Sequence, residues 1–189
     1  MTEIKIFNCL SDGSAYKSAE THQLPAFSKL YRIAMNLKIS SNVLQPRVVD
    51  PFARMCQWGT VRNDINPNFF PQYTTHCMDA LEFLSKEATQ ETDVVLLDPP
   101  FSDRQSNEEY GTNNLYTNPK YISDLGKQIF RILKPNGLVI KCGFNSNPPG
   151  KGFDLLALHI CNMGGSRNDI LISLWRKNQK TLTHLVGLA

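Results

Sequence analysis

Apolar positions along the chain change period several times. Between residues 25 and 37, Phe27, Leu30, Ala34 and Leu37 recur at helical spacing, and Pro25 suits a first turn, where its missing N–H costs nothing. The spacing predicts an amphipathic helix. After a polar stretch, residues 47–50 read as a short strand running into Pro51, residues 60–65 as a second strand ending before Asn66-Pro67, and residues 73–77 as a shorter third. Asp79 with Glu82 three residues later is a helix-start pattern, followed by Leu81, Phe83 and Leu84. Residues 93–97 give a fourth strand. Its middle is wholly apolar, as suits a parallel strand covered on both faces.

The pattern then lapses. Residues 102–118 are polar and turn-rich with no apolar period, which predicts a long loop of the kind that often carries function. Asn118 and Pro119 open a helix that places Ile122, Leu125, Ile129 and Leu133 on one face and ends at Lys134-Pro-Asn-Gly137. Residues 138–142 form a fifth strand. Residues 153–160 and 170–175, separated by a turn at Gly164-Gly165, predict a terminal hairpin. Strands alternating with helices and ending in an antiparallel pair predict an α/β fold: a doubly wound, mostly parallel sheet with a C-terminal antiparallel hairpin. At 189 residues one domain is expected, with residues 1–44 as an N-terminal helical segment.

Composition narrows the setting. The chain is 41% apolar and 20% charged, and no run approaches the roughly 18 apolar residues of a membrane span. The first ten residues contain Glu3 and Lys5 and lack the apolar stretch of a secretory signal. Cys9, Cys56, Cys77, Cys142 and Cys161 are scattered, with no C-x-x-C pair, and the four histidines do not cluster with them. The expectation is a cytoplasmic protein with reduced thiols, no bound metal and no membrane partner. A net charge of +3 is compatible with nucleic acid without selecting it. Arg176, Lys177 and Lys180 read as a solvated terminal run rather than a polyanion contact.

In open α/β sheets, ligands sit outside the carboxyl ends of the strands, and Asp50, Asp64 and Asp98 all fall at predicted strand ends. Asp98-Pro99-Pro100-Phe101 carries the most chemistry. Two prolines stiffen the chain and leave their carbonyls free as acceptors, a carboxylate and a carbonyl together can accept from an –NH2 group, and the Phe101 ring offers a stacking face. A strand ending in a proline-rich turn accounts for the same four residues without any ligand. The tetrad resembles motif IV of the amino-methyltransferases, which methylate exocyclic nitrogens of adenine, cytosine or guanine with S-adenosylmethionine.

That resemblance implies a Rossmann-like domain and roles for further segments. Asp50-Pro51-Phe52-Ala53 resembles the start of motif I, which holds the methionine portion of the cofactor. The glycine-rich continuation is absent, and only the nine residues 51–59 separate the first two strands, so the helix expected there must be missing or cut to about a turn. Asp64-Ile65 resembles motif II, with the carboxylate on the cofactor ribose and Ile65 beside the adenine. Asp79-Ala80 falls where the family contacts the adenine edge, and Asp79 serves equally well as a helix cap. Asp98, Pro99, Pro100 and Phe101 would be the catalytic set, with Arg104, Tyr110 and Tyr116 closing over the nucleotide. Among such enzymes the chain looks most like the DNA adenine-N6 group. Only 88 residues follow Phe101, which leaves no room for a target-recognition domain and implies relaxed sequence preference unless a homodimer or other partner supplies readout. DNA is the expected partner and RNA the alternative. The rival readings are a ribosomal-RNA guanine-N2 methyltransferase, and a nucleic-acid-binding module that kept the fold without the cofactor.

Overall fold

The computed structural model describes residues 2–8, 20–111, 115–163 and 168–178, with side chains throughout except at 7–8, 105 and 108–110. Strands β1 (Glu3–Asn8), β2 (Val48–Asp50), β3 (Val61–Asp64), β4 (His76–Cys77), β5 (Thr92–Leu97), β6 (Leu133–Gly143), β7 (Phe153–Asn162) and β8 (Ile170–Lys177) form one sheet in the order β1-β7-β8-β6-β5-β2-β3-β4. β8 runs antiparallel to both β6 and β7, and the other pairings are parallel. The doubly wound sheet and the antiparallel terminal pair are as the alternation predicts. Of that hairpin, the turn at Gly164-Gly165 lies outside the described residues.

Helices α1 (Pro25–Ile39), α2 (Ala80–Lys86) and α4 (Pro119–Ile132) cover the two faces. The all-buried strand β5 divides its side chains between them. Val94 and Leu96 join Phe27, Leu30 and Ala34 of α1 in one core, while Val95 and Leu97 join Phe83, Leu84, Leu125 and Ile129 of α2 and α4 in the other. Fully buried Ile129 and Ile132 are each worth roughly 1.5–3 kcal/mol, so burial docks α4. Its exposed Lys120 and Lys127 pairs to Asp124 are screened by water and add far less.

Three parts of the chain differ from expectation. The polar segment after the tetrad contains a short helix, α3 (Asp103–Tyr110), and a 3-10 turn at Leu115–Thr117. α3 buries Ser106 rather than an apolar stripe, so periodicity could not announce it. Next, Glu3–Asn8 is not helical but pairs in parallel with β7 as an edge strand, with Ile4 and Ile6 exposed. Finally, β6 begins at Leu133, and the Lys134-Pro-Asn-Gly turn signal appears as an irregularity inside it: the register jumps between Thr92/Leu133 and Val94/Leu138, and Asn136 has φ of 59°.

The positive run at the end of β8 is also not simply solvated. Lys177 is buried and donates to the carbonyls of Phe130 and Leu133, each at 2.7 Å, capping the C-terminal end of α4. Lys180 lies outside the described residues.

α4 also touches the segment after β6 so closely that position 126 admits only glycine. A Cβ there would lie 2.3 Å from the Pro149 carbonyl oxygen. Gly126→Ala is therefore expected to cost about 1–3 kcal/mol. At about 2–4 °C per kcal/mol for a chain of this size, thermal unfolding should detect it; an unchanged midpoint would show that the contact yields freely.

Candidate functional site

The sheet's winding reverses between β2 and β5, which pair directly. Their carboxyl ends therefore border the crevice where doubly wound sheets bind ligands. Asp50 ends β2 and Asp98 follows β5. Both line one narrow cleft, together with Phe52, Ala53, Arg54, Cys56 and Leu96, and with Glu20, Thr21 and His22 from the approach to α1.

Polar groups fill this cleft. Asp50 is 3% exposed and accepts from the Phe52 N–H at 3.1 Å and from the Cys56 thiol. Burial, with smaller contributions from Asp98 and Asp64, pushes its carboxyl up to about 8. Asp98 accepts from the Thr21 hydroxyl and the Cys142 thiol; burial first, and then the Glu20 charge, raise it to about 7. The Arg54 guanidinium opposes these negative charges. Its Nε lies 3.2 Å from Glu20 Oε1, and the group sits 5.7 Å over the Phe69 ring.

The connection from β2 to β3, residues 51–60, contains turns and no helix, as its shortness predicts. It is held by other means. Arg54 takes φ of 46°, a left-handed conformation that glycine adopts more cheaply. Ala53 N–H donates to the Asn63 carbonyl at 2.8 Å, and Trp58 packs edge-on against Tyr31 and Phe27 of α1. Fully buried Asn63 bridges the strand ends by donating to the carbonyls of Pro51 and Met78.

Further along the same edge, Asp64 is 1% exposed and fixes two turns. Oδ2 accepts from Arg54 N–H at 3.1 Å and Oδ1 from Asn66 N–H at 2.9 Å. Ile65 beside it is half-buried. Asp79 is the N-cap of α2, accepting from Leu81 and Glu82 N–H through Oδ1 and from the Tyr121 hydroxyl through Oδ2 at 2.8 Å. Ala80 is in the core. Asp50 and Asp98 are thus brought together in the cleft, Asp64 lies next to it, and Asp79 is anchored apart by its cap and by Tyr121.

A second, larger cavity of about 310 Å³ opens on the α4 side. Pro99, Pro100, Phe101 and Tyr116 line it with Tyr121, Lys141 and Phe144. Phe101 and Phe144 meet with ring centroids 5.0 Å apart, and buried Tyr116 packs edge-on against both Phe52 and Tyr121. Asp98 borders the first cleft while Pro99 borders the second, so the tetrad forms the partition between them. Arg104 is exposed on α3; the side chain of Tyr110 lies outside the described residues.

Sequence reading missed Glu20, Thr21, Lys141 and Phe144. Glu20 and Thr21 precede the predicted helix and carry no motif. Lys141 and Phe144 end a strand whose pattern shows where it stops but not what it faces.

No family model matches the chain, and no curated protein does. Solved structures do. The N-methyltransferase NodS from Bradyrhizobium japonicum WM9 in complex with S-adenosyl-l-homocysteine superimposes over 82% of this chain and 89% of its own, with a TM-score of 0.51 and 10% identity. The 1,6-didemethyltoxoflavin-N1-methyltransferase from Burkholderia thailandensis matches over 79% and 78%, with a TM-score of 0.50 and 11% identity. TrmN from Thermus thermophilus matches at 0.50 and 15% identity over 78% of this chain, which spans about half of that protein (48%). At such identities the likeness concerns architecture: this chain has the Rossmann-like fold of those methyltransferases.

Proposed function

We propose that this protein transfers a methyl group from S-adenosylmethionine to the exocyclic N6 amine of adenine in DNA. The observation that carries this reading is the position of Asp98-Pro99 as the partition between an acidic cleft and an aromatic cavity. Donor and acceptor must meet where two such spaces touch.

The carboxylates suit the cofactor's chemistry, which combines a cation with vicinal hydroxyls. Space is the other half of the fit. The free volume in the cleft is only about 20 Å³, and the Arg54 guanidinium already supplies positive charge beside Glu20. Arg54 must therefore yield its place for the cofactor to enter. In this reading Asp50, Pro51, Phe52 and Ala53 hold the methionine portion, Asp64 and Ile65 the ribose and one adenine face, and Asp79 and Ala80 the adenine edge. When bound, the cofactor supplies an electrophilic methyl on a sulfonium.

The chain's own groups do the rest. A purine amine is a poor nucleophile because its lone pair is delocalised into the ring. The Asp98 carboxylate and the Pro99 carbonyl accept its two hydrogens and favour the pyramidal form, so the lone pair is aligned and the developing positive charge stabilised. With its carboxyl raised to about 7, Asp98 is basic enough to take the proton that the nitrogen sheds. Phe101 stacks on the base, Tyr116 walls the cavity, and Arg104 on α3 serves the phosphate backbone.

Incubation with methyl-labelled S-adenosylmethionine and either DNA or ribosomal RNA, followed by nucleoside analysis, tests the substrate. N6-methyladenine in DNA is expected. N2-methylguanine in RNA would replace the substrate with the rival one, and no label in either, by protein that binds the cofactor, would end the nucleic-acid reading.

The elevated carboxyls give this site a pH dependence. Carboxyls raised to about 8 (Asp50) and about 7 (Asp98) keep protons that the unfolded chain has already lost, so the contribution of these two groups to the stability of the free protein falls as pH rises from about 4 to about 8. A cationic cofactor favours the ionised forms. Its binding should release protons and tighten between pH 6 and 8, by up to about tenfold per pH unit for each proton released. Calorimetric titration across that range, in buffers of different ionisation enthalpy, checks this; an affinity independent of pH would contradict it.

A further inference from the structure

The aromatic cavity contains one charged side chain among its described lining residues, Lys141, to which the proposed chemistry assigns no task. It stands on β6 in register with Leu97 of β5, one residue before Asp98. Its ammonium donates to Asn145 Oδ1 at 2.9 Å and to the Asn147 carbonyl at 2.8 Å. The Asn145 oxygen is itself fixed by the Asn147 N–H at 3.1 Å. Two of the three ammonium donors are thus committed, which holds the group in place and leaves one N–H for a ligand. Burial lowers the ammonium to about 8, so it is still mainly cationic at neutral pH.

We propose that Lys141 selects the base by donating to the ring nitrogen next to the amine held at Pro99 and Asp98. The inference rests on the methyl-transfer reading and narrows it. Adenine presents an acceptor, N1, beside its N6 amine, and cytosine presents N3 beside N4. Guanine presents an N1–H donor beside N2 on its pairing edge, which an ammonium repels. Turning guanine over to offer N3 brings its sugar edge against this wall. A donor-only side chain here therefore favours adenine or cytosine and disfavours guanine. Lys141 acts as a specificity-determining residue, and Phe101 with Phe144 provides the flat surfaces along which the base enters.

The test uses short single-stranded oligothymidines carrying one central adenine or one 1-deazaadenine, in which C–H replaces N1. Binding to the whole protein is followed by fluorescence anisotropy, and S-adenosylmethionine binding and methyl transfer are measured separately. Wild type should bind the adenine strand about ten- to a hundredfold tighter than the deaza strand. Lys141→Met should bind both equally weakly, because the two losses come from one bond and do not add. Lys141→Arg should restore part of the difference, and all three proteins should retain cofactor binding. If wild type does not distinguish the two strands, or Lys141→Met distinguishes them as well as wild type, the proposal is overturned. Discrimination that depends on Lys141, without transfer to either strand, would uphold the base site and remove the methyltransferase reading instead.

Discussion

Asp98→Ala is expected to lower the rate of methyl transfer about 10³-fold, at the upper end of what losing one preorganised electrostatic partner costs. Three independent features fix the position of this carboxylate. The apolar strand β5 delivers it to the sheet edge, Pro99 fixes the chain direction immediately after it, and Thr21 and Cys142 hold it by donating to it. Removing it leaves the Pro99 carbonyl as the remaining acceptor for the amine, and no group raised to about 7 to collect the proton. Asp98→Asn keeps an acceptor oxygen but neither the charge nor the basicity, so it should fall between the two. Cofactor affinity, which also draws on Asp50, should change much less. Single-turnover kinetics with saturating cofactor make the comparison, and an Asp98→Ala rate within about tenfold of wild type, under about 1.4 kcal/mol of barrier, would remove Asp98 from the chemistry.

Lys177→Ala should produce the largest loss of stability, about 3 kcal/mol, with little direct effect at the site. The ammonium makes two charge-assisted hydrogen bonds, to the Phe130 carbonyl in the last turn of α4 and to the Leu133 carbonyl at its C-cap, and lies 4.3 Å over the Phe130 ring. Charged hydrogen bonds contribute roughly 1.5–3 kcal/mol each, and truncation also leaves both carbonyls without this partner. At about 2–4 °C per kcal/mol, the unfolding midpoint should drop by about 6–12 °C. Lys177→Met, which keeps the stem over the ring, should recover part of the loss. A midpoint unchanged in both variants would mean that water replaces the ammonium at the helix end without cost.

Much of the scaffold was legible because local chemistry and the global fold agree. Pro25 and Pro119 start helices, Asp79 caps one, and the unbroken apolar run of β5 marks a strand buried on both faces. Signals failed where burial was not apolar. α3 docks through Ser106, and the alternation in β1 turns Ile4 and Ile6 outward at an edge, so neither displays the usual pattern. Lys177 shows the converse, a charged residue whose burial is set by a helix end distant in sequence.

The site divided along similar lines. Asp50 and Asp98 were visible because strand ends gather by topology, and the missing helix after β2 followed from counting residues. That Arg54 would adopt a left-handed backbone and pair with Glu20 was not legible, since the partner lies 34 residues earlier and joins only through the approach to α1. The cap role of Asp79 follows from sequence and is present, and Asp64 likewise anchors backbone N–H groups, so substituting either would disturb loops as well as contacts.

Calorimetric titration of the folded protein with S-adenosylmethionine at pH 8, alone and with an adenine-containing oligonucleotide present, tests the central claim most directly. The account predicts one site per chain, with proton release and weaker binding at pH 6. Absence of binding by folded protein under both conditions would contradict it and leave a nucleic-acid-binding module built on a methyltransferase fold.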